Sequence, residues 1–263
     1  MREIGQTELR ELQMQVLDYV DSFCMSKGIQ YSISGGTLLG AIRHRGYIPW
    51  DDDIDIQMKR SEYEKFCALW CREDNHPYDL ICIEAGKNKG YPFGKISIPG
   101  TVALVGGVER TGVYIDVFPV DKVLDEKDFR KRHKRVLRLY KLQMLHFAWQ
   151  KSRHSHVPFT KRIVLAAGRF ISRERLAVKI DSLAKARQNQ TCPFYFEMVA
   201  GTICKEPILA SVFEDYIRIP FEDREYQAVA MYDSYLTATF GDYMQLPPVE
   251  KRVGHRDNCY YWK

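Results

Sequence analysis

Four aspartates fall within five residues of one short segment: Asp51, Asp52, Asp53 and Asp55. From Asp53 onward, in the run DIDIQM, acidic and apolar residues alternate, which is typical of a β-strand. On such a strand Asp53 and Asp55 would share a face, where like charges repel each other. A divalent cation between them would reverse the local electrostatics. The spacing therefore predicts a metal site of carboxylate oxygens, the ligands that Mg²⁺ prefers.

A third carboxylate, Asp116, stands in the apolar run GVYIDVFPV. A buried charge without a partner is costly, so Asp116 needs either a salt bridge or a metal ion. Together with Asp53 and Asp55, it is predicted to be the third metal ligand, and the salt bridge remains the alternative.

The segment Gly35-Gly36-Thr37 lies between a predicted strand, QYSIS, and a predicted short helix, GTLLGAIRH. Glycines at a strand-to-helix turn let phosphate oxygens approach the backbone, and the helix N-terminus offers unpaired N–H groups. A single Gly-Gly-Thr is usually only a turn, but here a strand with Asp-x-Asp follows. The three residues are therefore predicted to bind a phosphate group.

Four further residues are weaker candidates. Arg43 and His44 end the predicted short helix and either bind substrate or cap the last carbonyls. Lys95 is a single lysine in an apolar strand, expected at a sheet edge or with its ammonium group reaching water unless a phosphate lies beside it. His255 is expected to be an ordinary surface histidine.

Two alternatives to a metal site carry less weight for the acidic segment. A calcium-binding EF-hand loop that starts at Asp51 would place Glu62 at position 12, but Ile56 stands where the loop needs glycine. A solvated acidic turn conflicts with the apolar residues that flank the aspartates.

The elements around these residues can be read from hydrophobic spacing. A long amphipathic helix is predicted from Leu9 to Phe23, and a second is predicted to begin at Ser61 with a capping box. Strands are expected in YDLICIEA, YPFGKISI, TVALV and GVYIDVFPV. This order of elements predicts an α+β fold with a mixed or antiparallel sheet.

Charge divides the chain of 263 residues unevenly. Residues 127–187 contain 18 Lys/Arg and three Asp/Glu, a net charge of +15, whereas the whole chain carries +5, so the remainder carries −10. We expect a catalytic core in residues 1–124, a basic helical insertion in 125–190, and a C-terminal segment in 191–263 that packs back on the core. A solvated basic face is the default interpretation of the insertion, and a nucleic-acid surface is a second one. Because aromatic and aliphatic residues interleave its charges, we favour a helix that contacts the inner face of the membrane peripherally over a nucleic-acid surface.

The chain starts without an apolar leader pattern, and it contains no apolar run of about 18 residues, the length that a spanning helix needs. Its seven scattered cysteines indicate reduced thiols. Cys67 and Cys71 are expected to be two core-facing thiols rather than zinc ligands. We therefore expect a cytoplasmic protein.

Three stretches, SGGTLLGAIRHRGYIPWDDDIDI, YIDVFPVD and GDYMQLPPVEKR, resemble the LicD family of phosphocholine transferases. The order Gly-Gly-Thr, Asp-x-Asp and a later single Asp is similar to the wider nucleotidyltransferase superfamily, which includes DNA polymerase beta. Fukutin and fukutin-related proteins, which transfer ribitol phosphate, are related to the same family. The resemblance spans Ser34 to Arg252, and the basic insertion within it has no sharp motif.

The resemblance implies a nucleotidyltransferase-like α+β core and transfer of phosphocholine, or a related phospho-alcohol, from CDP-choline or a similar CDP-alcohol to a sugar hydroxyl. CMP would be released, and the acceptor would be a lipid-linked precursor of teichoic acid, lipopolysaccharide or another cell-surface glycan. Asp53, Asp55 and Asp116 would hold Mg²⁺, with Mn²⁺ as the alternative metal. Two other functions remain open: transfer of a nucleoside monophosphate from a triphosphate to RNA or a small molecule, and a non-catalytic membrane- or RNA-binding module.

Overall fold

Helices and strands alternate in the first part of the chain, and strands dominate after residue 184. The computed structural model describes residues 1–105, 108–152, 165–200, 206–252 and 258–263. Its helices are α1 (Gln6–Lys27), α2 (Gly35–His44), α3 (Arg60–Trp70), α4 (Glu126–Ser152), α5 (Arg173–Ala184) and α6 (Tyr232–Phe240). Its strands are β1 (Arg2–Ile4), β2 (Ser32–Ile33), β3 (Asp55–Lys59), β4 (Asp79–Ile81), β5 (Gly94–Ser97), β6 (Thr101–Val105), β7 (Val108–Thr111), β8 (Tyr114–Val123), β9 (Phe194–Phe196), β10 (Ile208–Leu209), β11 (Tyr216–Phe221), β12 (Arg224–Val229) and β13 (Asn258–Trp262).

The largest sheet is mixed, as the order of elements predicted. Its strands run in the order β10-β9-β8-β3-β2, and β5 pairs with β8 and with β4. Only the β3–β8 pair is parallel among these pairings, and the others are antiparallel. The long strand β8 is the centre of the sheet, because β3 lies on one side of it and β5 and β9 share the other.

Two smaller β structures complete the fold. A second sheet has the order β1-β13-β6-β7, so it joins the two ends of the chain to the middle. Strands β11 and β12 form an antiparallel ribbon. The ribbon contacts β2 and α2, the strand before Gly35 and the helix that begins with it.

The centre of the main sheet is buried on both faces. Four consecutive residues of β3 and seven of β8 are buried, and consecutive strand residues point to opposite faces. Helices α1 and α3 contact β8. Parallel strands normally require such cover on both sides. A polar side chain on these strands is therefore largely shielded from water.

The helix predicted between Leu9 and Phe23 is confirmed. It is longer than predicted and ends at Lys27. The next residue, Gly28, has a φ of 57°, the left-handed conformation that favours glycine after a helix. The capping box predicted at Ser61 is wrong, because α3 already begins at Arg60, and Lys59 is the residue before it.

Arg60, the first residue of α3, belongs to a buried ion cluster. Its guanidinium is 1% exposed, makes two hydrogen bonds of 2.8 Å to Asp121 and donates one of 2.7 Å to Asp181. This buried ion cluster ties α3 to β8 and to α5, and the loss of one partner would leave an unpaired buried charge.

The strongly basic segment contains two helices, α4 and α5, within the described residues. Leu142 and Met144 are exposed on α4, as are several of its basic residues. In the described part of the chain, no helix combines the length and apolar character required to cross a bilayer.

Candidate active site

The parallel pairing of β3 and β8 places Asp55 directly opposite Asp116. Neighbouring strands lie about 4.8 Å apart, so side chains on the same face of paired residues are close. Each aspartate is only 9% exposed. The backbone holds the pair in place, since the Asp116 N–H donates to the carbonyl of Ile54 at 2.9 Å.

Asp53 lies just before β3, not on it as predicted, because the strand begins at Asp55. Helix α1 fixes the preceding loop: Arg10 donates to the carbonyl of Asp51 at 2.9 Å, and Gln13 donates to the carbonyl of Asp52 at 2.9 Å. The three loop aspartates are half-buried. The acidic loop is therefore held by side chains of α1 beside the end of the strand.

The electrostatics of Asp55 are unfavourable without a cation. Burial raises the pKa of Asp55 well above its usual range, and the charges of Asp53, Asp116, Glu197 and Asp51 raise it further. Five carboxyl groups that oppose one another's ionisation are a poor arrangement for stability alone. A bound divalent cation would change the sign of this interaction.

Lys95 compensates one of these charges. Strand β5 pairs Lys95 with Asp116, and the Lys95 ammonium lies 2.5 Å from Asp116 Oδ1. Burial raises the pKa of Asp116, whereas Lys95 opposes this rise. The salt bridge considered for Asp116 is therefore present. Lys95 is 3% exposed on a strand that pairs on both sides, so the expected edge or water-reaching position is wrong.

Gly35 and Gly36 start helix α2 against the acidic residues. Gly35 has a φ of +51°, and a Cβ atom added to Gly36 would lie 2.5 Å from Asp51 Oδ2. The Thr37 hydroxyl accepts a hydrogen bond of 2.9 Å from the Asp55 N–H. The glycines thus permit close approach of the acidic loop, and Thr37 positions Asp55.

Arg43 and His44 lie at the far end of α2, in its last turn. Arg43 donates to the carbonyl of Tyr243 at 2.7 Å, so it joins α2 to the C-terminal GDYMQLPPVEKR segment. Burial and the charge of Arg252 lower the pKa of Arg43. The described contacts of Arg43 do not connect it to the aspartate pair. His255 lies outside the described residues.

Glu197 is a member of the site that the sequence patterns did not predict. It directly follows β9, and its Oε1 is buried without a hydrogen-bond partner in the described part of the chain. Burial and the charge of Asp116 raise the pKa of Glu197 to about 8. The only signal in the sequence is one acidic residue in the apolar run FYFEMV.

A separate cluster contains the two buried thiols Cys67 and Cys82 and the carboxylate of Glu84, whose ligand atoms lie within 4.8 Å of one another. The hydrogen bond with Cys82 and burial raise the pKa of Cys67 well above its usual range, so that thiol stays protonated. Cys71 is exposed, so the expected pair of core-facing thiols is confirmed only for Cys67.

Comparison with known proteins shows which family the site-bearing part of the chain resembles. Residues 28–147 match the model described as LicD/FKTN/FKRP, nucleotidyltransferase domain, and this range includes Gly35, Asp55, Lys95 and Asp116. This part of the chain is similar to the LicD family. The family resemblance noted in the sequence is confirmed.

Two named relatives extend the comparison. The lipopolysaccharide cholinephosphotransferase LicD of Haemophilus influenzae is 29% identical over 264 residues, which cover 97% of each chain. The human ribitol 5-phosphate transferase FKRP is 28% identical over 104 residues, 38% of this chain and 19% of the human protein. The names of both relatives describe transfer of a phosphorylated alcohol.

Proposed function

We propose that this protein is a metal-dependent transferase that moves phosphocholine, or a related phospho-alcohol, from a CDP-linked donor to a sugar hydroxyl of a cell-surface glycan precursor, with release of CMP. The observation that carries the proposal is the in-register pair Asp55 and Asp116. Similarity to LicD over 97% of the chain supports the type of group transferred. The family description also supports a nucleotidyltransferase-like core.

The donor set fits a hard divalent cation. Asp53, Asp55 and Asp116 offer only oxygen atoms, and Mg²⁺ is commonly held by one or two carboxylates together with substrate phosphates. The raised pKa of Asp55 is the expected sign for carboxylates assembled to share a cation. When bound, Mg²⁺ or Mn²⁺ would neutralise charge on the donor diphosphate and lower the pKa of the attacking hydroxyl.

The transfer needs no reactant other than the CDP-linked donor and the sugar acceptor. The sugar oxygen forms a bond to the phosphorus that carries the alcohol, the bond from that phosphorus to the bridging oxygen breaks, and CMP leaves with the electron pair. Asp116 is our candidate to accept the hydroxyl proton. Gly36 and Thr37 at the N-terminus of α2 would bind donor phosphate through their backbone N–H groups. The Gly35 N–H already donates to the Tyr235 hydroxyl at 3.2 Å, so Gly35 would contribute through its close backbone approach.

A lipid-linked acceptor would bring the enzyme to the cytoplasmic surface of a membrane. Helix α4 presents exposed basic residues such as Arg138 and Lys141 together with the exposed apolar side chains of Leu142 and Met144. This combination suits peripheral contact with an anionic lipid surface. We propose such contact for α4, and we do not propose nucleic acid as a partner.

The test is CMP release from CDP-choline by the purified protein, with Mg²⁺ or with EDTA, and with acceptor sugars added. We expect CMP only with the metal, and at least a hundredfold loss for Asp53→Asn in a protein that still melts like the wild type. CDP-ribitol and CDP-glycerol identify a related donor alcohol. Undiminished turnover by Asp53→Asn would refute the metal site, and pyrophosphate release from a nucleoside triphosphate would refute the donor assignment.

A further inference from the structure

A cavity of about 430 Å³ lies between the strands of the second sheet and the basic helices. Tyr91, Tyr114 and Tyr260 line one part of it, and Tyr140 and Phe147 of α4 line another. Aromatic side chains provide broad apolar faces with polar edges, which suit a ring-shaped ligand that is partly hydrophilic. The acidic loop does not line this cavity, so the cavity is an additional feature of the fold.

Two guanidinium groups, those of Arg110 and Arg173, also line the cavity. Arg110 lies 4.2 Å from the centroid of the Phe147 ring, and Arg173 lies 5.7 Å from that of Tyr91. Among the described residues, neither guanidinium forms a salt bridge with a carboxylate. Burial lowers the pKa of Arg110, and the charge of Arg173 lowers it further.

The hydroxyl of Tyr91 lies in the positive potential of the nearby cationic side chains. Burial alone would raise the pKa of its hydroxyl, but the charges of Lys95, Arg110 and Arg173 bring that pKa below the ordinary value. Paired arginines without carboxylate partners are suited to a planar or tetrahedral oxyanion, which the guanidinium fork binds through two parallel hydrogen bonds.

The cavity adjoins the aspartate pair. The Tyr114 ring centroid lies 3.5 Å from the Lys95 ammonium, which in turn lies 2.5 Å from Asp116. Burial raises the pKa of Tyr260, and the nearby charges of Asp52 and Asp53 raise it further. A ligand in the cavity would therefore have one end close to the carboxylates where transfer is proposed.

We propose that this cavity binds the acceptor, and that the acceptor is an anionic sugar whose phosphate or carboxylate is held by Arg110 and Arg173 while its ring packs on the aromatic side chains. This inference rests on the proposed function, because it assigns the second substrate of that reaction. The donor does not supply the anion, since its negative charges lie on the diphosphate at the metal site, and cytosine and choline carry none. The proposed acceptor site also gives α4 and α5 of the basic segment a role in acceptor specificity.

The test measures binding by titration calorimetry with four probes: glucose 6-phosphate, glucuronate, glucose and inorganic phosphate. We expect either glucose 6-phosphate or glucuronate to bind at least tenfold more tightly than glucose or inorganic phosphate. Whichever of these two anionic sugars binds more tightly identifies the anion as phosphate or carboxylate. Arg110→Gln and Arg173→Gln should each weaken that binding at least tenfold. Arg175→Gln, which removes an exposed arginine from the same helix as Arg173, is the matched control and should bind like the wild type.

Because Arg110 is half-buried, thermal melting must verify each variant, and Arg110→Lys retains the charge if the Gln variant unfolds. In the Arg110 and Arg173 variants, the acceptor concentration at half-maximal CMP release should rise at least tenfold, whereas Arg175→Gln should leave it unchanged. Loss of CMP binding or of donor hydrolysis would overturn the acceptor assignment in favour of a donor site. Equal binding of glucose and the anionic sugars would also overturn it. If the wild type hydrolyses no donor, the proposed function fails, whereas the anion-binding result stands on its own.

Discussion

Replacement of Glu197 with glutamine should change how the stability of this protein depends on pH. The Glu197 Oε1 is buried without a described hydrogen-bond partner, and burial together with Asp116 raises the pKa of Glu197 from 4.5 to about 8. In the folded state the carboxyl therefore keeps its proton up to about pH 8, whereas in the unfolded chain it ionises near pH 4.5. The folded state binds more protons between these values, so the stability it contributes is lost as pH rises.

The size of the effect follows from the gap between the two pKa values. A gap from 4.5 to about 8, at about 1.4 kcal/mol per pH unit, gives an upper limit of about 5 kcal/mol. Glu197 is only half-buried, and water screens part of the penalty, so we expect about 2–3 kcal/mol. Glutamine has nearly the same shape but cannot ionise. The variant should thus gain stability over the wild type as pH rises, with the full difference reached above about pH 8.

Urea unfolding in EDTA between about pH 5.5 and about pH 9 measures this difference directly. EDTA is needed because a bound cation would alter the charge around Asp116. Glu214→Gln, at an exposed glutamate, is the matched control and should follow the wild-type curve at every pH. Parallel curves for Glu197→Gln and the wild type would refute the assignment of a protonated, buried carboxyl at this position.

Three further substitutions test the supports of the site. Arg60→Met should lower the free energy of unfolding by about 3–5 kcal/mol, because it leaves the buried Asp121 without its ion-pair partner and Asp181 with Lys185 alone, and chemical denaturation measures the loss. Gly36→Ala should reduce CMP release at least tenfold with a stability loss of only about 1–3 kcal/mol, since its Cβ would displace Asp51; full activity would contradict this. Lys95→Met should cost about 3–5 kcal/mol in EDTA by leaving Asp116 without its ammonium partner, and Mg²⁺ should restore more stability to it than to the wild type in parallel melts.

The strand positions of Asp55 and Asp116 could be predicted from the sequence, because alternation and an apolar context mark both as strand residues. The parallel register that places them opposite each other could not be predicted from the sequence, since no local pattern determines which strands become neighbours. Asp53 illustrates the limit at a smaller scale: the alternation continues through it, but hydrogen bonds from α1 hold the preceding backbone as a loop.

Residues whose partners are distant in sequence were not predictable in the same way. Arg60 stands 61 and 121 positions from Asp121 and Asp181, and nothing near Arg60 in the sequence indicates the buried cluster. Glu197 is 81 positions from Asp116 and becomes part of the site only because β9 pairs with the second half of β8. Such tertiary contacts explain why the sequence predicts the acidic residues of the site but not their surroundings.

The motif YIDVFPVD places the two aspartates of one strand in different surroundings. Asp116 and Asp121 are five residues apart, so on a regular strand they point to opposite faces. One meets Lys95 beside Asp55, and the other meets Arg60 beneath α3. Both pairs are buried, but Asp121 faces a guanidinium that satisfies both of its oxygens, whereas Asp116 shares its environment with the carboxyl groups that raise the pKa of Asp55. The same strand thus holds one ion pair that satisfies both oxygens of its carboxylate and one carboxylate among other carboxyl groups, where we propose that a cation and a phosphorylated substrate bind.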